Sequence, residues 1–394
     1  MKKTLSDIDV KNKRVLVRVD FNVPIAEGRI SDDSRIRAVI PTVEYLREQG
    51  AMIILCSHLG RPDGQVVPSM SLEPAALELS KIMGIQIGFV NNCIGANASE
   101  AVSSLKYGEV LLLENLRFHK GEELNDAGFA RQLSDLADVF VNDGFAVAHR
   151  AHASTEGITH YLPSVAGLLM HRELAILGTL LEDPHRPLVV LLGGAKVSDK
   201  IGVLENFINK VNVILIGGGM AATFLKAAGN SVGSSIVEDE LGDLARDISE
   251  RAIANQVELH IPIDVVVAES FGPNSRNITV DVNKVPDGWI IMDIGHKTLD
   301  TYRAKIANGK TILWNGPSGV FEFEAFSRGT RELAATMASL KDAITVVGGG
   351  STAEAVESLR LGHLMTHVST GGGASLEFLE GKHLPGIDAL IDKE

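Results

Sequence analysis

The stretch 188–200 reads Leu-Val-Val-Leu-Leu-Gly-Gly-Ala-Lys-Val-Ser-Asp-Lys, an apolar run that passes through two glycines into lysines. Five consecutive Val and Leu residues without polar alternation predict a β-strand buried on both faces, as in a parallel sheet. The glycines predict a tight turn after that strand, and Ser198 is a candidate N-cap of a following helix. The order of strand, glycine turn and helix predicts an α/β fold.

The same alternation extends along the chain in both directions. Predicted strands in the first half are 14–19, 51–56, 86–90, 110–113 and 138–141, with helices near 33–48, 73–83, 95–105 and 126–136. Predicted strands in the second half are 188–192, 212–216, 311–314 and 344–347, followed by a short apolar stretch at 366–369. Such alternation is typical of βαβ units. The sequence therefore predicts two doubly wound, Rossmann-like domains with parallel sheets.

A boundary between these domains is predicted between residues 160 and 187. Residues 161–181 have the pattern of one long helix, and the charged, proline-containing segment 182–187 ends it. Two prolines among charged residues fit an interdomain connection. We expect an N-terminal domain over 1–170, an interdomain helix and hinge over 171–186, a C-terminal domain over 187–375 and a C-terminal segment over 376–394.

The composition narrows the possible classes of function. The chain has 394 residues and a formal net charge of −13, and only 5% of its residues are aromatic. General nucleic-acid binding requires a basic face and stacking platforms, so we expect no nucleic-acid partner. Cys56 and Cys93 are too few for a disulfide framework or a cysteine zinc site. Neither a membrane span nor a signal-peptide pattern is found, and we expect a cytoplasmic protein without a membrane partner.

Glycine turns follow five apolar stretches of the second half. They are Gly193-Gly194, Gly217-Gly218-Gly219, Asn315-Gly316-Pro317, Gly348-Gly349-Gly350 and Gly371-Gly372-Gly373. At the carboxyl ends of parallel strands, such turns let backbone N–H groups approach an anion. Lys196 and Lys200 favour a nucleoside di- or triphosphate as that anion. The turns at 217 and 348 also match a loose dinucleotide pattern, with Glu238 as a candidate ribose ligand, so an NAD-dependent dehydrogenase is the alternative.

Basic residues in the first half lie within or just after predicted strands and at the start of the first helix. They are Arg18, Arg35, His58, Arg61, Arg117, His149 and Arg150. Because the carboxyl ends of parallel strands meet at one edge of a sheet, these side chains predict a basin for an anionic ligand. A non-catalytic anion-binding protein is a further alternative. The histidines lack the spacing typical of a metal site.

Five motifs, in this order along the chain, resemble those of the phosphoglycerate kinase family. They are Arg18-Val19-Asp20-Phe21-Asn22-Val23-Pro24, His58-Leu59-Gly60-Arg61-Pro62, the stretch 192–200, Trp314-Asn315-Gly316-Pro317 with Gly319-Val320-Phe321-Glu322, and Ser369-Thr370-Gly371-Gly372-Gly373-Ala374-Ser375. The resemblance covers nearly the whole chain. It implies a monomeric enzyme of glycolysis that transfers a phosphoryl group between ATP and 3-phosphoglycerate, forming ADP and 1,3-bisphosphoglycerate.

The resemblance also implies a role for individual residues. The glycerate-binding residues would be Asp20, Phe21, Asn22, Arg35, His58, Leu59, Gly60, Arg61, Arg117 and Arg150. The residues binding ATP or ADP with Mg²⁺ would be Lys200, Gly217, Gly218, Gly295, Asn315, Glu322, Gly349, Gly350, Ser351 and Thr352. The catalytic residues would be Arg35, Lys196, Lys200, Gly371 and Gly372. The C-terminal segment would pack on the N-terminal domain.

The implied chemistry needs no general base, because a carboxylate acceptor is already ionised at pH 7. Catalysis would rest on positioning, charge neutralisation and domain closure. Three positions depart from the family pattern: Ser351 stands where an acid is common, residues 143–150 read Asp-Gly-Phe-Ala-Val-Ala-His-Arg, and His296 replaces a common proline. We therefore expect no certain protein ligand for Mg²⁺, which the nucleotide phosphates would mainly hold, and Ser351 is a candidate helix N-cap.

Overall fold

The computed structural model describes residues 1–26 and 28–393 and consists of two compact α/β units. The first unit contains Met1–Ala175 together with the chain from His383 onward, and the second contains Ile176–Lys382. Residues 376–382 thus belong to the second unit, and the segment after them returns to the first. In the described part of the chain, no helix is long and apolar enough to cross a membrane.

The first unit is a doubly wound parallel sheet. Its strands are β1 (Arg14–Arg18), β2 (Ile25–Ala26), β3 (Arg29–Ile30), β4 (Met52–Cys56), β5 (Ile87–Val90), β6 (Val110–Leu113), β7 (Val139–Asn142) and β8 (Ser164–Ala166). Its helices are α1 (Ser34–Glu48), α2 (Glu73–Met83), α3 (Gly95–Ser103), α4 (Lys120–Glu123), α5 (Ala127–Ser134), the start of α6 (Leu168–Glu182) and α14 (Pro385–Asp388). β2 and β3 form a hairpin, and the other strands pair in the order β5-β6-β4-β1-β7-β8.

Helices cover both faces of this sheet, which explains the continuous apolar runs. Val15 and Val17 of β1 pack with Ile36 of α1 on one face. Leu16, which points the other way, packs with Phe129 of α5 on the opposite face. Successive strand residues alternate between faces, so a strand buried on both sides has no polar position.

The second unit repeats this architecture and adds a smaller sheet. Its strands are β9 (Leu188–Leu192), β10 (Val213–Ile216), β11 (Glu258–His260), β12 (Asp264–Ala268), β13 (Asn277–Asp281), β14 (Ile290–Ile294), β15 (Thr311–Asn315), β16 (Ile344–Gly348) and β17 (His367–Val368). Its helices are the end of α6, α7 (Ile201–Phe207), α8 (Met220–Ala227), α9 (Gly242–Ala254), α10 (His296–Asn308), α11 (Arg328–Ala338), α12 (Gly350–Ser358) and α13 (Gly373–Leu379). The parallel sheet has the order β11-β10-β9-β15-β16-β17. Two parallel sheets confirm the predicted fold class.

The antiparallel sheet β13-β12-β14 was not anticipated from the sequence. No strand was predicted between residues 217 and 310. β13 is largely exposed, so it lacks the continuous apolar run that marks a strand buried on both faces. Its partner β12 is apolar but pairs with two antiparallel strands. A search for βαβ units finds only parallel strands and therefore does not predict it.

Three local predictions were wrong. The helix predicted over 161–181 is preceded by β8, which pairs with β7, and α6 begins only at Leu168. Ser198 is not an N-cap, because α7 begins at Ile201 after Lys200. Ser351 lies inside α12, whose N-cap is Gly349 with a φ of +85°. Strand pairing sets the start of α6, and a left-handed glycine sets the start of α12. Neither can be recognised from the local sequence pattern alone.

Candidate functional site

Basic side chains in the first unit meet where β1, β4, β6 and β7 end. We call the side chains of Arg18, Arg35, His58, Arg117 and Arg150, together with the exposed Arg61 on the loop after β4, the anion basin. Arg18 Nη2 donates to His58 Nδ1 over 3.2 Å, and Arg35 Nη1 lies 2.6 Å from Asp20 Oδ2. The charges of four of the arginines act on His58. Arg18, Arg35, Arg117 and Arg150 therefore converge on His58 as expected, whereas no contact of Arg61 with them is found among the described residues.

Arg18 is buried, and a serine hydroxyl connects it to a buried carboxylate. Its Nε donates to Ser154 Oγ over 2.8 Å, and that hydroxyl donates to Glu122 Oε1 over 2.6 Å. Glu122 is fully buried, and burial raises its pKa even though the charge of Arg18 opposes this. A buried hydrogen-bonded chain of this kind restricts the guanidinium to one orientation.

His58 is suited to donate one hydrogen bond and not to act as a base. Burial, reinforced by the charges of Arg18 and Arg117, lowers the pKa of His58 well below its ordinary value. Arginine cannot accept a hydrogen bond, so Nδ1 of His58 accepts from Arg18 and the ring proton resides on Nε2. The neutral ring therefore offers a single N–H donor.

The loop that carries His58 and Arg61 is fixed by Asn115, which is fully buried. Asn115 Oδ1 accepts from the backbone N–H groups of Leu59 (3.2 Å) and Arg117 (3.1 Å). Its Nδ2 donates to the carbonyls of Leu59 (2.7 Å) and Met70 (2.9 Å). All four hydrogen-bonding positions of the amide are used, so the loop after β4 and the turn after β6 are held together.

Gly60, which follows Leu59 in the loop after β4, has a φ of +64°. Its N–H donates to Asn22 Oδ1 over 3.0 Å, and its carbonyl accepts from Arg117 Nη1 over 2.8 Å. A left-handed φ favours glycine at this position. The predicted residues Asn22, Gly60 and Arg117 are thus in direct contact.

The positive charges of the basin are only partly neutralised. Arg35 pairs with Asp20, and Arg117 Nε lies 3.1 Å from Glu123 Oε1. For the described residues, neither Arg61 nor Arg150 has a carboxylate within 4.0 Å. A group of guanidinium side chains with this surplus of positive charge is suited to a small ligand with several negative charges.

The second unit contains a cavity of 490 Å³ at the carboxyl ends of β15 and β16, which we call the glycine pocket. It is lined by Ser198, Asp199, Lys200, Asn315, Gly316, Gly349, Gly350, Ser351, Thr352, Gly372, Gly373, Leu376, Glu377, Glu380 and Lys382. Seven of the predicted nucleotide or catalytic residues are among these. Gly217, Gly218, Gly295, Glu322, Lys196 and Gly371, which were predicted with them, do not line the cavity.

Two polar side chains meet inside the glycine pocket. Lys200 Nζ donates to Asn315 Oδ1 over 2.5 Å, and burial lowers the pKa of Lys200. Asn315 is fully buried, and its Nδ2 has no hydrogen-bond partner within the described part of the protein. A buried N–H donor is normally paired, so the unpaired Nδ2 indicates a place for an acceptor atom from outside the chain.

Backbone approaches backbone closely beside this pocket. A Cβ on Gly218, whose φ is +65°, would lie 2.6 Å from the backbone nitrogen and oxygen of Gly194. Gly218 N–H donates to the carbonyl of Ser318 over 2.9 Å. These turns require glycine for steric reasons, and they bring the loops after β9, β10 and β15 together.

A preformed metal site is not found. Among residues 1–26 and 28–393, no group of three or more His, Cys, Asp or Glu side chains could hold a metal ion. Ser351 is exposed in the first turn of α12 and offers a neutral hydroxyl. The donors present do not form a protein cage for Mg²⁺.

Sequence reasoning missed several residues that hold the sites in place. Asn115, Glu122 and Ser154 support the anion basin, and Glu238 contacts Ser198 instead of standing free as a ribose ligand. Asn115 follows the end of a predicted strand by two residues, so the argument that selected Arg117 could have found it. Nothing in the local pattern distinguishes Glu122 or Ser154.

Comparisons with known proteins agree with this geometry. The family model described as phosphoglycerate kinase matches residues 5–382. The phosphoglycerate kinases of Moorella thermoacetica and Pelotomaculum thermopropionicum are each 53% identical over 392 residues, covering 100% of this chain and 100% of theirs. The phosphoglycerate kinase structure from Coxiella burnetii has a TM-score of 0.90 at 42% identity, covering 99% of this chain and 98% of its own.

The phosphoglycerate kinase structure from Pyrococcus horikoshii has a TM-score of 0.83 at 33% identity, with the same coverage. These findings do not support a dehydrogenase, and they rule against a binding protein without catalytic activity, since the family consists of phosphotransferases. The chain belongs to the phosphoglycerate kinase family.

Proposed function

We propose that this chain transfers a phosphoryl group reversibly between MgATP and the carboxylate of 3-phosphoglycerate, with 1,3-bisphosphoglycerate and MgADP as the other pair. The observation that carries the proposal is the surplus of positive charge in the anion basin, where Arg61 and Arg150 have no carboxylate partner among the described residues. A phosphorylated hydroxy acid supplies the several negative charges that such a basin would neutralise.

The glycerate is proposed to bind in the anion basin. The residues assigned to it are Asp20, Phe21, Asn22, Arg35, His58, Leu59, Gly60, Arg61, Arg117 and Arg150. The hydrogen bonds from Asn115 to Leu59 and from Arg117 to Gly60 support this assignment, because they hold the loop before the ligand arrives. Preorganised donors cost less to order on binding.

The nucleotide phosphates are proposed to bind in the glycine pocket. The unpaired Nδ2 of Asn315, the ammonium group of Lys200 and the first turn of α12, which has no side-chain capping hydrogen bond, all offer positive potential there. Gly217, Gly218, Gly295 and Glu322 lie outside the cavity and are proposed for the nucleoside.

The chemistry is proposed to need charge neutralisation and no proton transfer by the protein. The acceptor carboxylate is ionised at neutral pH, and the low pKa of His58 fits a hydrogen-bond donor. Arg35, Lys196 and Lys200, with the turn at Gly371 and Gly372, are proposed to stabilise the charge that develops on the transferring phosphoryl group.

Magnesium is proposed to enter as part of the nucleotide complex. Mg²⁺ readily keeps water ligands and is commonly bound through substrate phosphates. The exposed hydroxyl of Ser351 is then at most a weak or water-mediated contact. Domain closure, a monomeric state and a cytoplasmic location remain predictions that follow from the sequence and its resemblance.

The proposal is tested by following ADP formation from ATP in the presence and absence of 3-phosphoglycerate. We expect turnover that requires both 3-phosphoglycerate and Mg²⁺, with 1,3-bisphosphoglycerate detected by phosphorus NMR. ATP hydrolysis that does not depend on 3-phosphoglycerate, or the absence of any turnover, would contradict it.

A further inference from the structure

Glu238 is bonded to the loop that carries the two lysines. We call residues 195–200, between β9 and α7, the lysine loop. Glu238 Oε1 accepts from Ser198 Oγ over 2.5 Å, and Glu238 Oε2 accepts from the Ser198 backbone N–H over 3.0 Å. One carboxylate therefore binds both donors of the residue midway between Lys196 and Lys200.

The charge state of Glu238 fits this arrangement. Burial disfavours its ionised form, but the hydrogen bonds from Ser198 and from the Val197 N–H, with the charge of Lys196, hold its pKa below the ordinary value. The carboxylate is ionised at neutral pH as a result. Hydrogen bonds to a charged acceptor are stronger than those between neutral groups.

Glu238 is itself attached to the body of the second unit. Its backbone N–H donates to Thr223 Oγ1 of α8 over 3.2 Å, and Thr223 is buried. Its carbonyl accepts from the Leu241 N–H over 2.9 Å, which closes a short turn. Glu238 thus connects the lysine loop to the packed helix α8.

The lysine loop has few other attachments. Lys196, Ser198 and Asp199 are exposed, whereas the Val197 side chain is buried. The backbone carbonyl of Val197 accepts a hydrogen bond from the Lys200 N–H over 2.8 Å, and this turn leads into α7. Without Glu238, the described contacts hold the loop by the Val197 side chain, by this turn and, at its end, by the hydrogen bond from Lys200 to Asn315.

We propose that Glu238 is a positioning residue that holds the lysine loop so that Lys196 and Lys200 face the transferring phosphoryl group. The role rests on the function proposed above. Glu238 does not touch the reacting atoms in this role. It affects the rate through the lysines, because misalignment of a positioned charge lowers the rate even though the charge is still present.

The test uses three variants: Glu238→Gln, Ser198→Ala and the double variant that combines these two changes. The control for all three is Glu240→Gln. Glu240 lies two residues away and is exposed, so its variant makes the same chemical change without touching the loop. Hydrogen–deuterium exchange of the Val197 and Ser198 amides reports on the loop directly, and steady-state kinetics with MgATP and 3-phosphoglycerate report on its use.

For Glu238→Gln we expect kcat to fall by about 10-fold to 150-fold, the range expected for a hydrogen bond to a charged group. Amide exchange at Val197 and Ser198 should accelerate, and KM for 3-phosphoglycerate should stay within about twofold, because the anion basin belongs to the other unit. The double variant should be no worse than Glu238→Gln, since both changes act on the same set of hydrogen bonds between Glu238 and the loop.

Kinetics and exchange that match those of Glu240→Gln would overturn the role. Additive effects in the double variant would overturn it as well, and so would a lowered melting temperature with unchanged kcat, which is the signature of a structural contact alone. An inactive wild-type chain would overturn the proposed function itself, whereas an active wild type with an unaffected Glu238→Gln would overturn only this role.

Discussion

The anion basin of the first unit is built from charged side chains, whereas glycine turns contribute a third of the residues that line the glycine pocket of the second unit. In the basin, Arg18 and Arg117 are held by Glu122, Ser154 and Gly60 through directional hydrogen bonds. In the pocket, five of the fifteen lining residues are glycines, and Ser351 and Thr352 of the first turn of α12 also line it. Guanidinium groups suit a small ligand with fixed geometry, and backbone N–H groups suit a flexible polyphosphate.

This difference means that the two regions should fail in different ways. Removing one side chain from the basin removes a charge and leaves its partner unpaired. Adding one carbon atom to a glycine turn displaces backbone. The predictions below use these two kinds of change to separate the regions.

The largest effect is expected for Arg35→Ala. Loss of one charge-stabilising donor should cost about 3–4 kcal/mol of transition-state stabilisation, a fall in kcat of about 10²–10³-fold. Arg35→Lys should restore little, because a point charge does not replace a planar fork. The control is Arg37→Ala on the same helix, which removes an exposed arginine paired with Asp33. A kcat for Arg35→Ala within threefold of the wild-type value would refute the role.

The glycine turns of the second unit should be most sensitive at Gly218. Gly218→Ala places a Cβ 2.6 Å from the backbone of Gly194, and we expect a loss of about 2–4 kcal/mol in the stability of the second unit. Gly229→Ala is the matched control, since its φ of +88° carries the same left-handed penalty with no atom within 4 Å. It should cost only about 1 kcal/mol. Urea unfolding measures both, and equal losses would show that steric approach at Gly218 is not limiting.

Ligand binding should separate the two regions through charge deletions. Lys200→Ala should weaken ADP binding by about 1.5–3 kcal/mol, the worth of a hydrogen bond to a charged group, and leave 3-phosphoglycerate affinity nearly unchanged. Arg150→Ala should do the opposite. Calorimetric titrations with each ligand measure this. The reverse pattern would refute the assignment of ligands to units.

One group in each unit, His152 in the first and Asp293 in the second, should contribute a pH dependence of opposite sign to stability. Burial, reinforced by the charges of Arg117 and Arg18, lowers the pKa of His152 to about 4. The unfolded chain then binds a proton that the folded first unit does not, so stability falls as the pH is lowered from about 6.5 to 4. Burial raises the pKa of Asp293 to about 7. The folded second unit then binds the extra proton, and stability falls as the pH is raised from about 4 to 7.

His152→Gln and Asp293→Asn test these slopes separately. Trp289 and Trp314 are the two tryptophans and both lie in the second unit, so their fluorescence follows its unfolding. Asp293→Asn should reduce the stability difference between pH 5 and pH 7 measured in this way, and His152→Gln should not. Hydrogen exchange in the first unit should show the converse. Slopes that neither variant alters would assign the pH dependence to other groups.

The smallest effect is expected at Ser351. An acid in the first turn of α12 would give Mg²⁺ one charged contact, and Ser351→Asp should tighten MgADP binding by about 0.5–1.5 kcal/mol. Fold stability should change little, because an acid in this turn suits the helix dipole. ADP affinity across a Mg²⁺ titration is the measurement, with Glu354→Gln as the second variant. If Glu354→Gln alone abolishes the Mg²⁺ dependence, the metal contact lies at Glu354 and the expectation for Ser351 is wrong.

Most of the α/β framework could be predicted from the sequence, because apolar strands buried on both faces are local signals. Strands β1, β4, β6, β9 and β15 lie within one or two residues of their predicted limits. The antiparallel sheet and β8 could not be predicted in this way, since an edge or half-exposed strand depends on the partner that it pairs with. The roles of individual site residues remain predictions.

The amino-acid sequence by itself determined the fold class, the membership in a kinase family and the residue types at the strand ends, because each depends on a local pattern or on a motif. Only the tertiary structure decided which of those residues touch. Asn115 reaches Leu59 across 56 positions, and Glu238 reaches Ser198 across 40. Such contacts arise when strand ends and loops from distant parts of the chain are brought to one edge of a sheet, and no local periodicity records which carboxylate or amide will meet which loop.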